Sequence, residues 1–204
     1  MMALKALLFQ GGRSDSPGSV EDKKNYITLL REIRSAFDNN QGKRLLLTAA
    51  VSAGQHYIDQ GYDVAAMSPL MDLINVMTYD FHGWWPGHSF TGHNSPLFST
   101  DEEKNPDHPG HNLNTDFAIQ YWIENGADPS KLLLGMGAYG RGFLLADPKD
   151  NGFYAPARGP IEAGPYTQQA GFWGYNEFCD KMKSEPGQWE IFRVSFTSKT
   201  RMNA

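Results

Sequence analysis

The residues best suited to chemistry follow the second of three apolar runs in the chain. Tyr79 and Asp80 come directly after that run, and Trp84 and Trp85 stand just beyond them. A phenol, a carboxylate and indole rings side by side suit a sugar, since polar groups bind hydroxyls and rings stack on pyranose faces. The structural alternative is a core tyrosine beside an aspartate that caps a turn, and for an isolated Tyr-Asp pair it is the favoured one.

A second candidate pair, Tyr139 and Arg141, follows the third apolar run and is flanked by glycines. Glycine lets the backbone approach a ligand closely. The alternative for Arg141 is an ordinary surface arginine. Trp122 fits the stripe of a predicted helix and is expected in the core rather than at a ligand.

Three of the six histidines, His82, His88 and His93, lie close in sequence to Asp80. A structural zinc site shows tighter His pairs, usually with cysteine partners. The looser spacing here favours a solvated loop, so we predict neither a metal site nor a cofactor.

The elements that must position these residues alternate along the chain. Helical spacing or apolar runs predict, in order, a helix with an apolar stripe over 26–37 and Ser19 as N-cap, a strand at 45–51, a weakly patterned helical segment at 62–70, a strand at 73–79, a long loop at 81–112, a helix at 114–125 and a strand from 132 to 136. This alternation predicts an α/β fold with parallel strands. Chemistry in such folds sits at the carboxyl ends of the strands, here residues 48–53, 77–83 and 135–141.

Composition narrows the function class. The 204 residues carry a net charge of −5 and 13% aromatic residues. Nucleic-acid binders usually show a basic excess, so no nucleic-acid partner is predicted. No apolar run approaches the roughly 20 residues of a membrane span. Residues 1–10 lack a convincing signal-peptide pattern. The single cysteine, Cys179, excludes a disulfide within the chain.

Several ordered motifs together resemble glycoside hydrolase family 18, the family of chitinases and chitinase-like proteins. The run LINVMTYDFHG at 73–83, followed by TGHNSPL at 91–97, resembles the sixth-strand segment of that family. The run KLLLGMGAYGRGF at 131–143 resembles its seventh strand. Residues 159–167 and 171–179 resemble the start of its α+β insertion. The resemblance covers roughly residues 11–180, and the order of its motifs makes it specific.

The resemblance implies part of a (β/α)8 barrel, about strands five to seven, plus the start of the small α+β insertion. The boundaries expected on this basis are an atypical segment at 1–10, partial barrel at 11–145, start of the insertion at 146–187 and a tail at 188–204. The family is usually secreted, which implies an extracellular location. It cleaves the β-1,4 bonds of chitin by a retaining route in which the sugar's own acetamido group attacks, an exception to the two-carboxylate scheme.

The family's site residues carry over unevenly. Tyr79 and Asp80 would support catalysis by binding the reacting sugar, and Met77 would line the pocket floor. Trp85 would stack on the leaving-group side.

Tyr139 and Arg141 would line further sugar subsites. Ser52 and Gly137 replace prolines usual in the family, which is expected to loosen the pocket backbone. Cys179 matches a family half-cystine.

The general acid of the family lies in an Asp-x-x-Asp-x-Asp-x-Glu pattern expected directly before Gly11. Residues 1–10, MMALKALLFQ, contain no carboxylate side chain. We therefore expect chitin or chito-oligosaccharides as partners but no hydrolysis by this chain. Two other hypotheses stay open, namely a non-catalytic, lectin-like chitin binder and a truncated product without autonomous function. The residues make no prediction about oligomeric state.

Overall fold

A computed structural model describes residues 21–42, 44–85 and 87–186 of the 204. The described residues fall into two compact units. The first lies within Met1–Phe81 and Ser99–Gly137, and the second within His82–Phe98 and Ala138–Ala204. The segments 1–10 and 188–204, which the sequence sets apart, and the predicted N-cap Ser19 lie outside the described residues. In the described part, no helix is long and apolar enough to cross a membrane.

The first unit is an α/β layer, as the alternation predicts. In chain order it contains α1 (Asp22–Asp38), β1 (Thr48–Ser52), α2 (Gln55–Gly61), α3 (Val64–Met67), a 3-10 turn (Ser68–Leu70), β2 (Leu73–Met77), α4 (Thr115–Glu124), a second 3-10 turn (Pro129–Lys131) and β3 (Leu132–Leu134). The three strands pair in parallel in the order β1-β2-β3. The prediction of parallel strands is confirmed.

The core of this unit lies on one face of the sheet. Side chains alternate between faces along a strand, and Ala49, Val51, Ile74 and Val76 are the buried set. The helices α1 and α4 contribute to the same hydrophobic cluster. Trp122 of α4 is fully buried, which confirms its prediction as a core residue.

Several elements differ from the sequence prediction, among them β3, which ends at Leu134 rather than at residue 136. β1 begins at Thr48, because the N–H of Leu47 donates to the carboxylate of Asp72 (2.8 Å) rather than to a strand. β2 ends at Met77, where the chain turns. The helix α2 was not predicted, since only Ile58 and Gly61 are buried and no apolar stripe marks it. The helical segment predicted at 62–70 is α3 followed by the 3-10 turn.

The second unit is built from short antiparallel pairs. Its elements are β4 (Tyr139–Arg141), β5 (Phe143–Leu145), β6 (Ala157–Pro160), β7 (Phe172–Gly174) and α5 (Tyr175–Ser184). β4 pairs with β7, and β5 pairs with β6. The domain boundaries predicted at residues 145 and 187 stay predictions.

Candidate functional site

The chain turns sharply where β2 ends. The N–H of Thr78 donates to Val76 O and the N–H of Tyr79 donates to Met77 O, both at 2.9 Å, so two three-residue turns follow in succession. Asp80 then takes a left-handed backbone conformation with φ of 62°. Aspartate tolerates this region better than most residues but at a cost, and such residues cluster at functional sites. The exposed Asp80 carboxylate and the half-buried Tyr79 ring are thereby placed at the strand terminus.

A side chain completes the ladder between β2 and β3 at this point. The N–H of Gly135 donates to Val76 O at 2.9 Å, as a parallel ladder requires. The next bond of such a ladder would run from the N–H of Thr78 to Gly135 O, but that N–H has turned back on its own strand. The Thr78 hydroxyl donates to Gly135 O instead, at 2.7 Å. Thr78 is fully buried, so this hydroxyl keeps a carbonyl satisfied away from water.

The Tyr79 ring packs against Gly135, the residue that follows β3. A Cβ atom at Gly135 would fall 2.9 Å from Tyr79 Cε1 and 2.7 Å from Val76 O, so the ring occupies space that only glycine leaves open. Burial, and secondarily the negative charge of Asp80, raises the pKa of the Tyr79 hydroxyl. At neutral pH the hydroxyl therefore keeps its proton and can donate a hydrogen bond.

Met77 is the last residue of β2 and is half-buried, in register with Ser52 of β1. The backbone of Ser52 is held at both polar groups. Its N–H donates to the Tyr62 hydroxyl (3.3 Å), and its carbonyl accepts from the Trp122 indole (3.0 Å). A proline at this position would lack that N–H, so serine contributes a hydrogen bond to the end of β1 that proline could not make.

In the second unit, Arg141 lies among three aromatic rings. Its guanidinium carbon is 5.5 Å from the ring centre of Trp85, 5.7 Å from that of Tyr139 and 5.1 Å from that of Phe172. All three distances are within the range of cation–π attraction. Tyr139 and Phe172 are stacked at 4.4 Å with an interplanar angle of 24°. Arg141 is therefore held by ring faces, which its planar, weakly hydrated guanidinium suits.

The pairing of β4 with β7 creates this cluster. Arg141 lies opposite Phe172 and Tyr139 lies opposite Gly174, so residues two apart on each strand share one face. Phe172 was not among the predicted site residues. The aromatic content of the run GFWGY at 171–175 was the available signal, but its pairing partner cannot be recognised without the structure.

Trp85 is held by a turn and by a glycine. The N–H of His88 donates to Trp85 O at 2.9 Å, and Gly87 in between has φ of 86°. A Cβ atom at Gly83 would fall 1.9 Å from Trp85 Cζ3, so the half-buried indole lies directly over that glycine. The His88 ring meets the indole edge-on at 5.7 Å.

The structure thus brings the six predicted site residues together in two groups. The β2-end group comprises Met77, Tyr79 and Asp80 in the first unit, with Thr78 and Gly135 as unpredicted neighbours. The arginine–aromatic group comprises Trp85, Tyr139 and Arg141 in the second unit, with Phe172. The roles of the six in binding or catalysis stay predictions.

The predicted histidine loop shows no metal-ligand geometry. His82 is buried and its Nδ1 lies 2.9 Å from His93 O, which is a main-chain contact. Within residues 21–42, 44–85 and 87–186, no three His, Cys, Asp or Glu side chains are grouped to hold a metal ion.

Glu177 of α5 is a buried carboxylate, 2% exposed, that no sequence pattern predicts. It accepts hydrogen bonds from the N–H groups of Tyr166 (2.7 Å), Thr167 (2.8 Å) and Gly174 (2.6 Å). Burial alone would raise its pKa, but these backbone donors outweigh burial and lower the pKa to about 2. At neutral pH Glu177 is therefore an anion that fixes a turn, whereas a general acid must carry a proton.

Comparison with known proteins identifies a family that this chain matches. The sequence profile of "Glycosyl hydrolases family 18" matches residues 9–203. The chain is 42% identical over 172 residues to the oviduct-specific glycoprotein of Sus scrofa, covering 82% of this chain and 31% of that protein.

Two solved structures carry the comparison to three dimensions. The second catalytic domain of the Group II chitinase of Ostrinia furnacalis matches 87% of this chain with a TM-score of 0.77 and 35% identity. Human YKL-39, described as a pseudo-chitinase with retained chitooligosaccharide binding, matches 80% with a TM-score of 0.73 and 37% identity. The chain spans 43% and 46% of these two structures, so it corresponds to less than half of each.

Proposed function

The chain belongs to glycosyl hydrolases family 18, and we propose that it binds chito-oligosaccharides without hydrolysing them. The family and its solved relatives imply a TIM-barrel-like chitinase fold. The observation that carries the binding proposal is the β2-end group. There a protonated tyrosine hydroxyl and an exposed carboxylate stand side by side on a backbone that is held by hydrogen bonds on two strands.

This group offers the two polar functions that an N-acetylated sugar needs. The Tyr79 hydroxyl donates to an acetamido oxygen, and the Asp80 carboxylate accepts from an acetamido N–H or a sugar hydroxyl. Hydrogen bonds to a charged partner are the stronger of the two kinds. Met77 supplies an apolar contact at the end of the same strand.

The arginine–aromatic group offers a different contact. The indole of Trp85 presents a ring to the apolar face of a pyranose, and Arg141 donates to hydroxyl oxygens. Tyr139 lines the same cluster. Because Arg141 is already stacked among rings, little side-chain entropy is lost when it binds a sugar.

Binding is tested by calorimetric titration of the full chain with N-acetylchitotetraose. Tyr79→Phe removes only the hydroxyl, and the dissociation constant should rise about fivefold to tenfold, the value of one net hydrogen bond. Tyr121→Phe is the matched control, since it removes an exposed hydroxyl of α4 that donates to Asp59 of α2 (2.5 Å), and neither residue belongs to the two groups. Equal affinity of the wild type and Tyr79→Phe would contradict the proposal.

The absence of hydrolysis is proposed from the sequence of the polypeptide itself. The 204 residues contain no Asp-x-x-Asp-x-Asp-x-Glu run, the pattern that holds the general acid in the family. Loss of a general acid alone costs typically about 10²–10⁴-fold in rate. A fluorogenic chitobioside should give no turnover above buffer, and turnover that is abolished by Tyr79→Phe would overturn this part.

A lectin-like role is the second candidate, favoured by the similarity to human YKL-39, whose description combines loss of chitinase activity with retained oligosaccharide binding. This candidate predicts that the chain is retained on insoluble chitin and also binds soluble oligomers, whereas the first predicts only the binding of soluble oligomers. A chain without autonomous function is the third, and a cooperative thermal melt would argue against it.

The place of the chain in the family fold is part of the same proposal. β1, β2 and β3 correspond to the fifth, sixth and seventh strands of a (β/α)8 barrel that extends to residue 145, and the α+β insertion begins at residue 146. Parallel pairing in sequence order, with helices between the strands, supports this placement. An extracellular location stays a prediction from the resemblance.

A further inference from the structure

We propose that Thr78 and Gly135 are positioning residues that set where the Tyr79 hydroxyl stands. This inference rests on the proposed function, because the hydroxyl is the group assigned to the sugar. Neither residue carries a side chain aimed at ligand. Both act on Tyr79 through the backbone of the β2-end group.

The hydroxyl of Thr78 takes the place of a backbone N–H donor. The two successive turns that direct Tyr79 and Asp80 use the N–H groups of Thr78 and Tyr79, so the β2 backbone has no donor left for Gly135 O. The Thr78 hydroxyl fills that role at 2.7 Å and ties the turns to β3. Valine has the same shape without the hydroxyl, so it would remove this donor from the Gly135 carbonyl and free the turns to shift.

Gly135 acts by leaving space. Its backbone is bound at both groups, the N–H to Val76 and the carbonyl to Thr78, so it cannot withdraw from the strand. A Cβ atom added at Gly135 would lie 2.7 Å from Val76 O and 2.9 Å from Tyr79 Cε1. Of these two neighbours the tyrosine side chain is the one able to rotate, so a methyl group at residue 135 displaces the ring.

The main test is a double-mutant cycle on N-acetylchitotetraose binding by the full chain. Thr78→Val should raise the dissociation constant about fivefold, in line with one lost net hydrogen bond. In the Tyr79→Phe background the same change should raise it less than about twofold, since the hydroxyl to be positioned is gone. Equal losses in both backgrounds would show a merely structural role and overturn the proposal.

Two substitutions serve as controls for the cycle. Thr78→Ser keeps the hydroxyl and should restore the affinity lost in Thr78→Val. Thr28→Val removes a hydroxyl bound to Lys24 O (3.2 Å) on the exposed face of α1, and it should leave binding unchanged. Failure of serine to restore binding would count against the hydroxyl as the cause.

A second readout needs no ligand. In protein labelled with ¹³C-tyrosine, the ring signals of Tyr79 are assigned by their absence in Tyr79→Phe. They should shift in Thr78→Val and further in Gly135→Ala, but not in Gly152→Ala, since a Cβ at that exposed glycine meets no atom within 4 Å. Unchanged Tyr79 signals in both variants would refute the positioning role.

The two readouts separate the two proposals. If the wild type binds no oligosaccharide, the proposed function fails while the ring signals still decide the positioning of Tyr79. If the wild type binds and Tyr79→Phe weakens binding, but Thr78→Val does not, only the positioning inference fails. Should Gly135→Ala not fold, Thr78→Val and Thr78→Ser carry the test.

Discussion

The two groups of candidate site residues are held in place by different forces. The β2-end group is fixed by backbone hydrogen bonds, by the hydroxyl of Thr78 and by the left-handed backbone conformation of Asp80. The arginine–aromatic group is fixed by ring faces packed around a guanidinium at 5.1 to 5.7 Å. Hydrogen bonds are short-ranged and directional, whereas ring packing tolerates small displacements.

The difference teaches where each group is vulnerable. The addition of one methyl group or the removal of one hydroxyl should disturb the β2-end group, because directional hydrogen bonds fix its atoms. The arginine–aromatic group should lose function only when a whole ring or the guanidinium is removed. Substitutions at four residues follow in order of falling effect. Three of these residues lie in the two groups and test the contrast, and Glu177, which backbone donors hold, is a reference outside them.

Glu177→Gln should give the largest loss of thermal stability, since it weakens three hydrogen bonds that depend on a buried negative charge. The pKa of Glu177 in the folded state, about 2, lies below its ordinary value of 4.5, so the charge stabilises the fold fully above pH 4.5. That contribution is lost as the pH falls from 4.5 towards 2. Melting temperatures of the wild type and the variant should therefore converge over this range, while the exposed control Glu162→Gln follows the wild type throughout.

Trp85→Ala should come next, with a loss of about 2 kcal/mol in binding of N-acetylchitotetraose, typical of a buried tryptophan at a binding site. Retention on chitin beads should be lost with it. Trp85→Phe keeps an aromatic ring and should retain part of the affinity. In the β2-end group, which hydrogen bonds fix, a comparable change should not be tolerated. If Trp85→Ala binds as well as the wild type, the arginine–aromatic group has no part in binding.

Asp80→Ala and Asp80→Gly should separate binding from strain in the β2-end group. Both remove the carboxylate and should weaken binding equally. Alanine resists the φ of 62° whereas glycine accepts it, so the glycine variant should be more stable than the alanine variant by about 1 kcal/mol. Urea denaturation measures the difference, and equal stabilities would show that the left-handed backbone carries no strain.

Arg141→Lys should have the smallest effect, a loss of about 0.5–1 kcal/mol in stability, because a lysine ammonium keeps the charge but not the planar stacking. Chemical denaturation of the full chain gives this value, with Arg158→Lys as an exposed control in the same unit. A loss as large as that of Trp85→Ala in binding would mean that Arg141 is held as rigidly as the β2-end group.

The sequence predicted three parallel strands, but not where they end or the bonds that join them. Tyr79 and Asp80 were proposed as site residues because an apolar run ends in polar residues, and Trp122 was correctly placed in the core because it lies on a helical stripe. The bond from Thr78 to Gly135 joins residues 57 positions apart and exists only once β2 and β3 pair. No local pattern contains that information.

The other features that the sequence did not predict were missed for the same reason. Phe172 meets Arg141 through pairing of two three-residue strands, which are too short to show a period. Glu177 resembles any helix-start glutamate until its three backbone donors from a preceding turn are seen. In α2 the polar residues outnumber the apolar ones, so its burial depends on neighbours rather than on its own pattern.

The oxygen of Val76 has a kinetic consequence. It accepts from the N–H groups of both Gly135 and Thr78, so those two amides depend on one acceptor. A local opening that moves this oxygen exposes both amides, and where that opening governs exchange the two should exchange with deuterium at matched protection. The β2 terminus would then open and close as a single unit, and a sugar that stabilises its closed form would slow both amides together.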